Sequence, residues 1–171
     1  MTSTYFNSNA IDLAMLIIRL AIGPMIIAHG YNKIFGAGGL TGTANWFEGL
    51  GLKPGWVHAR VAAFTEISVG IAITIGLLTS FAAAGIIGLM VVAMFTDHRG
   101  KGYFVFKGGM EYVLFVAMTA AALASAGPGK WSIDHALGLG WFGVRWAVGA
   151  VVLGVGAALL MLAASYRPVK K

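Results

Sequence analysis

Hydrophobic positions along the chain fall into five long runs separated by polar, glycine-rich stretches. A bilayer-spanning helix needs about 20 mostly apolar residues. The runs cover about Ile11 to Asn32, Val61 to Leu78, Phe81 to Thr96, Met110 to Ala126 and Trp141 to Ser165. The pattern predicts an all-α membrane protein, with residues 1–171 forming a single integral membrane domain. Thr79-Ser80 reads as a tight turn that makes a helical hairpin of the second and third runs. The third run is short, so polar ends or tilt must complete it. Pro24 is expected to kink the first run and to leave a carbonyl for neighbouring helices to satisfy. In the connector after that run, Thr43 to Leu50 predicts a short helix lying at the interface, with Trp46, Phe47 and Trp56 at headgroup level. GPGK at 127–130 stops the fourth run.

The first run is apolar yet carries Arg19, His29 and Lys33 within the stretch RLAIGPMIIAHGYNKIFG. Charge inside a span is costly, so each of the three is a functional-site candidate. Successive helical residues turn by about 100°, which places Gly23, Ile26, Gly30 and Lys33 within about 40° of Arg19 and His29 about 80° to one side. One flank is small and polar, while Leu16, Leu20 and Ile27 make the other greasy. The polar flank is expected to face helices and the greasy one lipid.

Composition sharpens this picture. Only 11% of the 171 residues are charged and 58% are hydrophobic, against about 25% charged in a soluble domain. The net charge of +6 therefore points to loops meeting anionic lipid, not to nucleic acid. The absence of cysteine removes disulfides, thiolate metal sites and thiol redox chemistry within the chain. Residues 1–10 hold no lysine or arginine, so the first run reads as a retained helix and not as a signal peptide.

Loop charge sets the expected direction. With five spans, Lys33, Lys53, Arg60, Arg99, Lys101, Lys107, Arg167, Lys170 and Lys171 share one face, and the other face has only Lys130. The positive-inside rule places the N-terminus outside and the C-terminus in the cytoplasm. Four helices then deliver polar side chains to one layer: His29 and Lys33, Glu66 about 9 Å along its helix from Arg60, Asp97 and His98, and Glu111. Isolated charges are expensive there, so Glu66 is expected to pair with His29 or Lys33, and Glu111 with Lys33 or His98. The competing reading is a ring of charge that only pins helix ends. Arg19 either pairs with Asp12 or extends to the outer interface. Arg145 reads as an interface residue, and His58 and His135 as loop histidines. Haem ligation needs two facing histidines; only His29 and His98 qualify, and both lie near the surface. No metal-ligand spacing, nucleophile elbow or phosphate loop is present. The fifth run carries Gly149, Ala150, Gly154 and Ala158 as small residues, which permit close backbone approach. That stripe serves either docking of a second protein or packing on its own bundle; the expectation is docking.

The pattern Arg19-Leu, Gly23, His29-Gly30 and Lys33-Ile-Phe-Gly36 resembles the first-helix motif of the DoxX family of small bacterial membrane proteins. Glu66, Gly70 and Gly76-Leu-Leu-Thr are similar to its second-helix and turn motif. Lys107-Gly-Gly-Met-Glu111-Tyr and Gly127-Pro-Gly-Lys-Trp-Ser-Ile-Asp134 are similar to its fourth-helix start and the connector that follows. The resemblance covers about residues 10–137 and implies a four-helix transmembrane bundle; residues 141–165 add a fifth span. Some relatives resemble a DoxD-type subunit of a thiosulfate:quinone oxidoreductase, and others are linked to oxidative-stress complexes. The resemblance therefore implies an inner-membrane subunit near quinone-linked electron transfer, with other membrane or respiratory subunits or a second copy as partners. It implies no covalent cofactor, and quinone is the candidate ligand of the polar layer. Whether the chain is itself an enzyme stays open. Two other functions stand beside this one: an assembly factor whose polar layer only orders the bundle, and a small-solute or proton pathway lined by Arg19, His29 and Glu66.

Overall fold

A computed structural model describes residues 8–168; the basic tail residues Lys170 and Lys171, and most of the uncharged N-terminal stretch, lie outside them. The described residues are helical, with no strand beyond one isolated bridge between Leu52 and Tyr166. Seven α-helices follow one another: α1 Ser8–Phe35, α2 Gly39–Leu50, α3 Gly55–Ile75, α4 Thr79–Phe95, α5 Glu111–Ala126, α6 Ile133–Ala136 and α7 Val144–Ser165, with a short 3₁₀ turn at Val105–Lys107. Among them α1, α3 and α7 are long and apolar enough to cross a membrane, while α4 and α5 are apolar but shorter.

The apolar runs mark the helices, and the polar punctuation shifts their ends. α3 begins at Gly55, directly after Pro54. Proline is tolerated at a helix start but not in its interior, so the helix takes in His58 and Arg60 ahead of the apolar run. The hairpin turn lies earlier than Thr79-Ser80: it is made by Gly76 to Leu78, with Gly76 at φ 66 and Leu78 at φ 48, and α4 already begins at Thr79. Gly76 has a second reason to be glycine, since a Cβ there would run into the Arg19 guanidinium and the Ser132 side chain.

α1 packs along α3, α4 packs on α5 and α7, and α2 lies across α3 and α1. The α1–α3 contact is close because small residues meet in it. A Cβ on Gly23 would lie 2.8 Å from the Gly70 carbonyl oxygen, and one on Gly30 would lie 2.7 Å from that of Ala63. Ile26, Ile73, Ile86, Val113 and Leu123 fill the main core, and Phe47, Leu52 and Leu162 a smaller one beneath α2. Phe47 thus turns inward, while Trp46 and Trp56 stay exposed. Ile17, Leu20, Phe64, Phe115 and Leu160 form part of a broad apolar exterior. So large an exposed apolar surface fits contact with lipid.

The small residues of α7 do not form a free stripe. Ala150, Gly154, Ala158 and Leu162 are buried, and a Cβ on Gly154 would meet the Ala84 carbonyl, Ile87 Cβ at 3.0 Å and Gly88 N at 3.1 Å. The expectation of an exposed docking stripe is therefore overturned in favour of packing on the chain's own α4. The C-terminus is tied as well: Lys53 N donates to Ser165 O at 3.0 Å and Arg167 N to Gly51 O at 2.7 Å.

Candidate functional site

The seven polar candidates separate into two ends and a connector. At one end Arg19 is 1% exposed, so it does not extend to an interface. Its Nη2 donates to the Trp131 carbonyl at 2.5 Å, and Nε and Nη1 have no hydrogen-bond partner among the described residues. It does not pair with Asp12, whose carboxylate accepts from Lys130 N at 2.9 Å instead. Asp134 is close enough to Arg19 to couple to it electrostatically. The Asp134 carboxylate accepts from Leu78 N at 2.7 Å, Thr79 N at 2.9 Å and the Thr79 hydroxyl at 2.7 Å. It thereby caps the start of α4, where the helix dipole favours an anion. Arg19 and Asp134 latch the 127–137 connector onto the α3–α4 turn.

At the other end the α1–α3 contact brings Lys33 and Glu66 together. Lys33 Nζ donates to both carboxylate oxygens of Glu66, at 2.8 and 2.7 Å, with the two side chains 13% and 9% exposed. This settles the partner of Glu66 as Lys33, not His29. His29 instead faces α5, where its Nε2 lies 3.3 Å from the Tyr112 hydroxyl; that hydroxyl donates to Met25 Sδ at 3.3 Å. Glu111 pairs with neither Lys33 nor His98: its Oε2 accepts from Val105 N at 2.9 Å. The glutamate starts α5, and its nearest open donors are the backbone amides of the turn before it. His98 Nδ1 meets the Gly108 carbonyl at 2.7 Å, and Asp97 pairs with Lys101 at 3.0 Å. These three residues fasten the α4–α5 connector.

Beside the Lys33–Glu66 pair lies a cavity of about 690 Å³. His29, Lys33, Glu66, Tyr112, Asp97, His98 and His58 all line it, in the half nearer α2; the rest of the wall is largely apolar and runs along α4 from Ala93 back to Phe81. His58 is a buried residue of α3, not a loop histidine; the start of the apolar run hid it, and Pro54 was the available signal. Tyr112 sits next to Glu111 and carries no charge, so hydrophobic patterning passes over it. Asp134 had no local signal, because its partners lie more than fifty positions away in the chain. His135 and Arg145 are exposed.

A helical chain with a lipid-suited exterior and a largely apolar cavity beside a buried ion pair is a membrane protein of the small-bundle type. The chain belongs to the DoxX family: the DoxX model matches residues 14–99, half of its length. It is similar to the inner membrane protein YqjF of Escherichia coli K12, with 29% identity over 135 residues, 76% of this chain and 96% of that protein. It is also similar to an uncharacterized protein of Haemophilus influenzae Rd, with 27% identity over 130 residues, 71% of this chain and 82% of the relative. No solved structure matches it.

Proposed function

We propose that the chain is a quinone-binding subunit of a membrane oxidoreductase. In this reading it sits in the bacterial inner membrane as one domain with five spans, α1, α3, α4, α5 and α7, partnered by other subunits or a second copy. The name of the E. coli relative supports the location. The direction rests on charge. Lys33, Lys53, Arg60, Arg99, Lys101, Lys107 and Arg167 are at or near the α2 end of the helices, and Lys130 is at the other. That end faces the cytoplasm, with the N-terminus outside.

The observation that carries the reading is the cavity with its polar groups at one end. Its 690 Å³ lies within the range of about 300–1,000 Å³ typical of ligand pockets. Lys33 is neutralised by Glu66, so the polar end suits an uncharged head group better than a phosphate or carboxylate. The donors are one N–H or O–H of the His29–Tyr112 pair, whose hydroxyl also reaches Met25 Sδ, and the third N–H of Lys33, which two hydrogen bonds to Glu66 leave over. A ring bearing carbonyl acceptors matches that set. A bound quinone supplies reversible two-electron, two-proton chemistry. The chain's residues position the head group, exclude water with apolar walls and hold protons at Tyr112 Oη and His29 Nε2, 3.3 Å apart. A purely structural polar layer would be closed and packed; the cavity beside this one favours a ligand.

Purification from native membranes in mild detergent, followed by mass spectrometry of the extracted lipids, tests the proposal. Quinone is expected near one per chain in wild type and several-fold less in Glu66→Gln. Quinone at the level of an unrelated membrane protein purified alongside would overturn it.

A further inference from the structure

Tyr103, Phe104, Val105 and Phe106 are four consecutive large apolar residues, each more than half exposed, and neither apolar core includes any of them. A turn in water rarely displays such a run without a use for it. The turn that presents them is well tied. Met110 N donates to Gly102 O at 3.1 Å, Glu111 N to Tyr103 O at 2.8 Å and Gly109 N to Phe104 O at 2.9 Å. The Glu111 carboxylate holds Val105 N, and His98 Nδ1 meets the Gly108 carbonyl at the base. The Phe104 and Phe106 rings stack with centroids 5.3 Å apart, and Tyr103 stands edge-on to Phe104. A surface ordered in advance loses little conformational entropy when it is covered.

Helix length indicates what covers it. Ser80, at the start of α4, donates to the Trp141 carbonyl, and the exposed Trp131 and Trp141 mark the headgroup level on that side. From Ser80 to Phe95, the last residue of α4, the helix rises about 22 Å. The hydrocarbon layer is about 30 Å thick, and any tilt shortens the rise across it. The 96–110 connector therefore starts at acyl-chain depth, and α5, with 16 residues, falls short in the same way. Backbone groups at that depth must be satisfied within the protein, which the hydrogen bonds of this turn go far to provide, and the exposed run supplies the apolar surface. Charge is arranged to match. Arg99 and Lys107 bracket the run in sequence; both are exposed, and their charged groups have no hydrogen bond or ion pair among the described residues. Lys101, in contrast, is engaged by Asp97 at 3.0 Å.

We propose that residues 102–109 form an aromatic finger seated in the bilayer, with Phe104 and Phe106 among the acyl chains next to the head groups, and that Arg99 and Lys107 hold the phosphate of an anionic phospholipid of that leaflet. Long basic side chains reach outward from acyl depth to phosphate level, and anionic head groups attract them. The finger does not rest on the quinone reading.

The chain has no cysteine, so Phe106→Cys carries a single spin label. In nanodiscs that mix phosphatidylcholine and phosphatidylglycerol, power-saturation electron paramagnetic resonance compares the label's accessibility to oxygen, which concentrates in lipid, with that to a water-soluble nickel chelate. Oxygen is expected to dominate, as for Leu160→Cys on the exposed side of α7. Dominance of the chelate would overturn the insertion. A label open to the chelate in nanodiscs but shielded in native membranes would overturn it too, and would make the finger a docking surface for another protein. The phosphate site is read separately, by native mass spectrometry of the delipidated full chain titrated with phosphatidylglycerol or phosphatidylcholine. Wild type is expected to prefer phosphatidylglycerol, and Arg99→Gln and Lys107→Gln each to weaken it about fivefold, with phosphatidylcholine unaffected. Lys101→Gln should change little, because Asp97 already engages that ammonium. Equal affinity of wild type for the two lipids, or equal losses for Lys101→Gln and Lys107→Gln, would overturn the phosphate site.

Discussion

Lys33 and Glu66 are the residues whose interaction has the largest consequence for their size. Both hydrogen bonds are short and both side chains are largely shielded. Removing one partner leaves the other charge buried and alone, which costs about 3–5 kcal/mol in soluble proteins. Lys33→Met and Glu66→Gln are each expected to lower the melting temperature markedly, and the double variant to lose less than the sum of the two. His29→Ala should show no such coupling to Glu66→Gln, because His29 spends its contact on Tyr112. Thermal unfolding of the four variants in one detergent measures this, and strictly additive losses for Lys33 and Glu66 would contradict the pairing. Arg19 illustrates a different balance. Its guanidinium is buried with one good acceptor and, among the described residues, two nitrogens without a hydrogen-bond partner, so it holds the connector near Asp134, a task that lysine's single ammonium would perform poorly.

At the scale of elements, the small residues do the joining. Lipid offers no hydrophobic drive between helices, so close backbone approach and dispersion contacts must hold them. Gly23 and Gly70 let α1 and α3 touch, and Gly154 lets α7 settle on Ala84 and Gly88 of α4. Gly154→Leu has no room: its Cβ would already be 3.0 Å from Ile87 Cβ. The variant is expected to melt at a lower temperature without a change in particle size, as read by light scattering after size exclusion. A change of oligomeric state at unchanged stability would return the stripe to a docking role. The capping of α4 by Asp134 shows the same economy, since one carboxylate satisfies two orphan amides of a helix start.

For the whole molecule, the two ends differ in kind. The end holding the 127–137 connector is locked by Arg19, Asp134 and Ser80, whose hydroxyl donates to the Trp141 carbonyl at 2.6 Å. The end holding α2 is richer in basic residues and has the polar part of the cavity. If that basic end faces the cytoplasm, a reporter fused to the C-terminus is active there and one fused to the N-terminus is active only outside. A cytoplasmic N-terminal reporter would reverse the orientation and with it the side from which the polar groups are reached.

Sequence alone determined the helical class, the membrane setting and the polar flank of α1, because hydrophobic run length and the 100° step are local properties of the chain. Arg19, Gly23, Ile26 and Gly30 are indeed the buried side of α1, but of the flank expected to face lipid only Leu20 is exposed: Leu16 is half-buried and Ile27 packs against Gly70 of α3. It also narrowed Glu66 to two partners. Tertiary structure chose Lys33 between them, because the α1–α3 register at Gly30 and Ala63 decides which side chains come level. It alone decided that Glu111 serves its own turn, that α7 turns Ala150, Gly154 and Ala158 inward, and that His58 is buried. Each of those outcomes depends on which helix lies alongside, and patterning along one chain carries no information about neighbours in space.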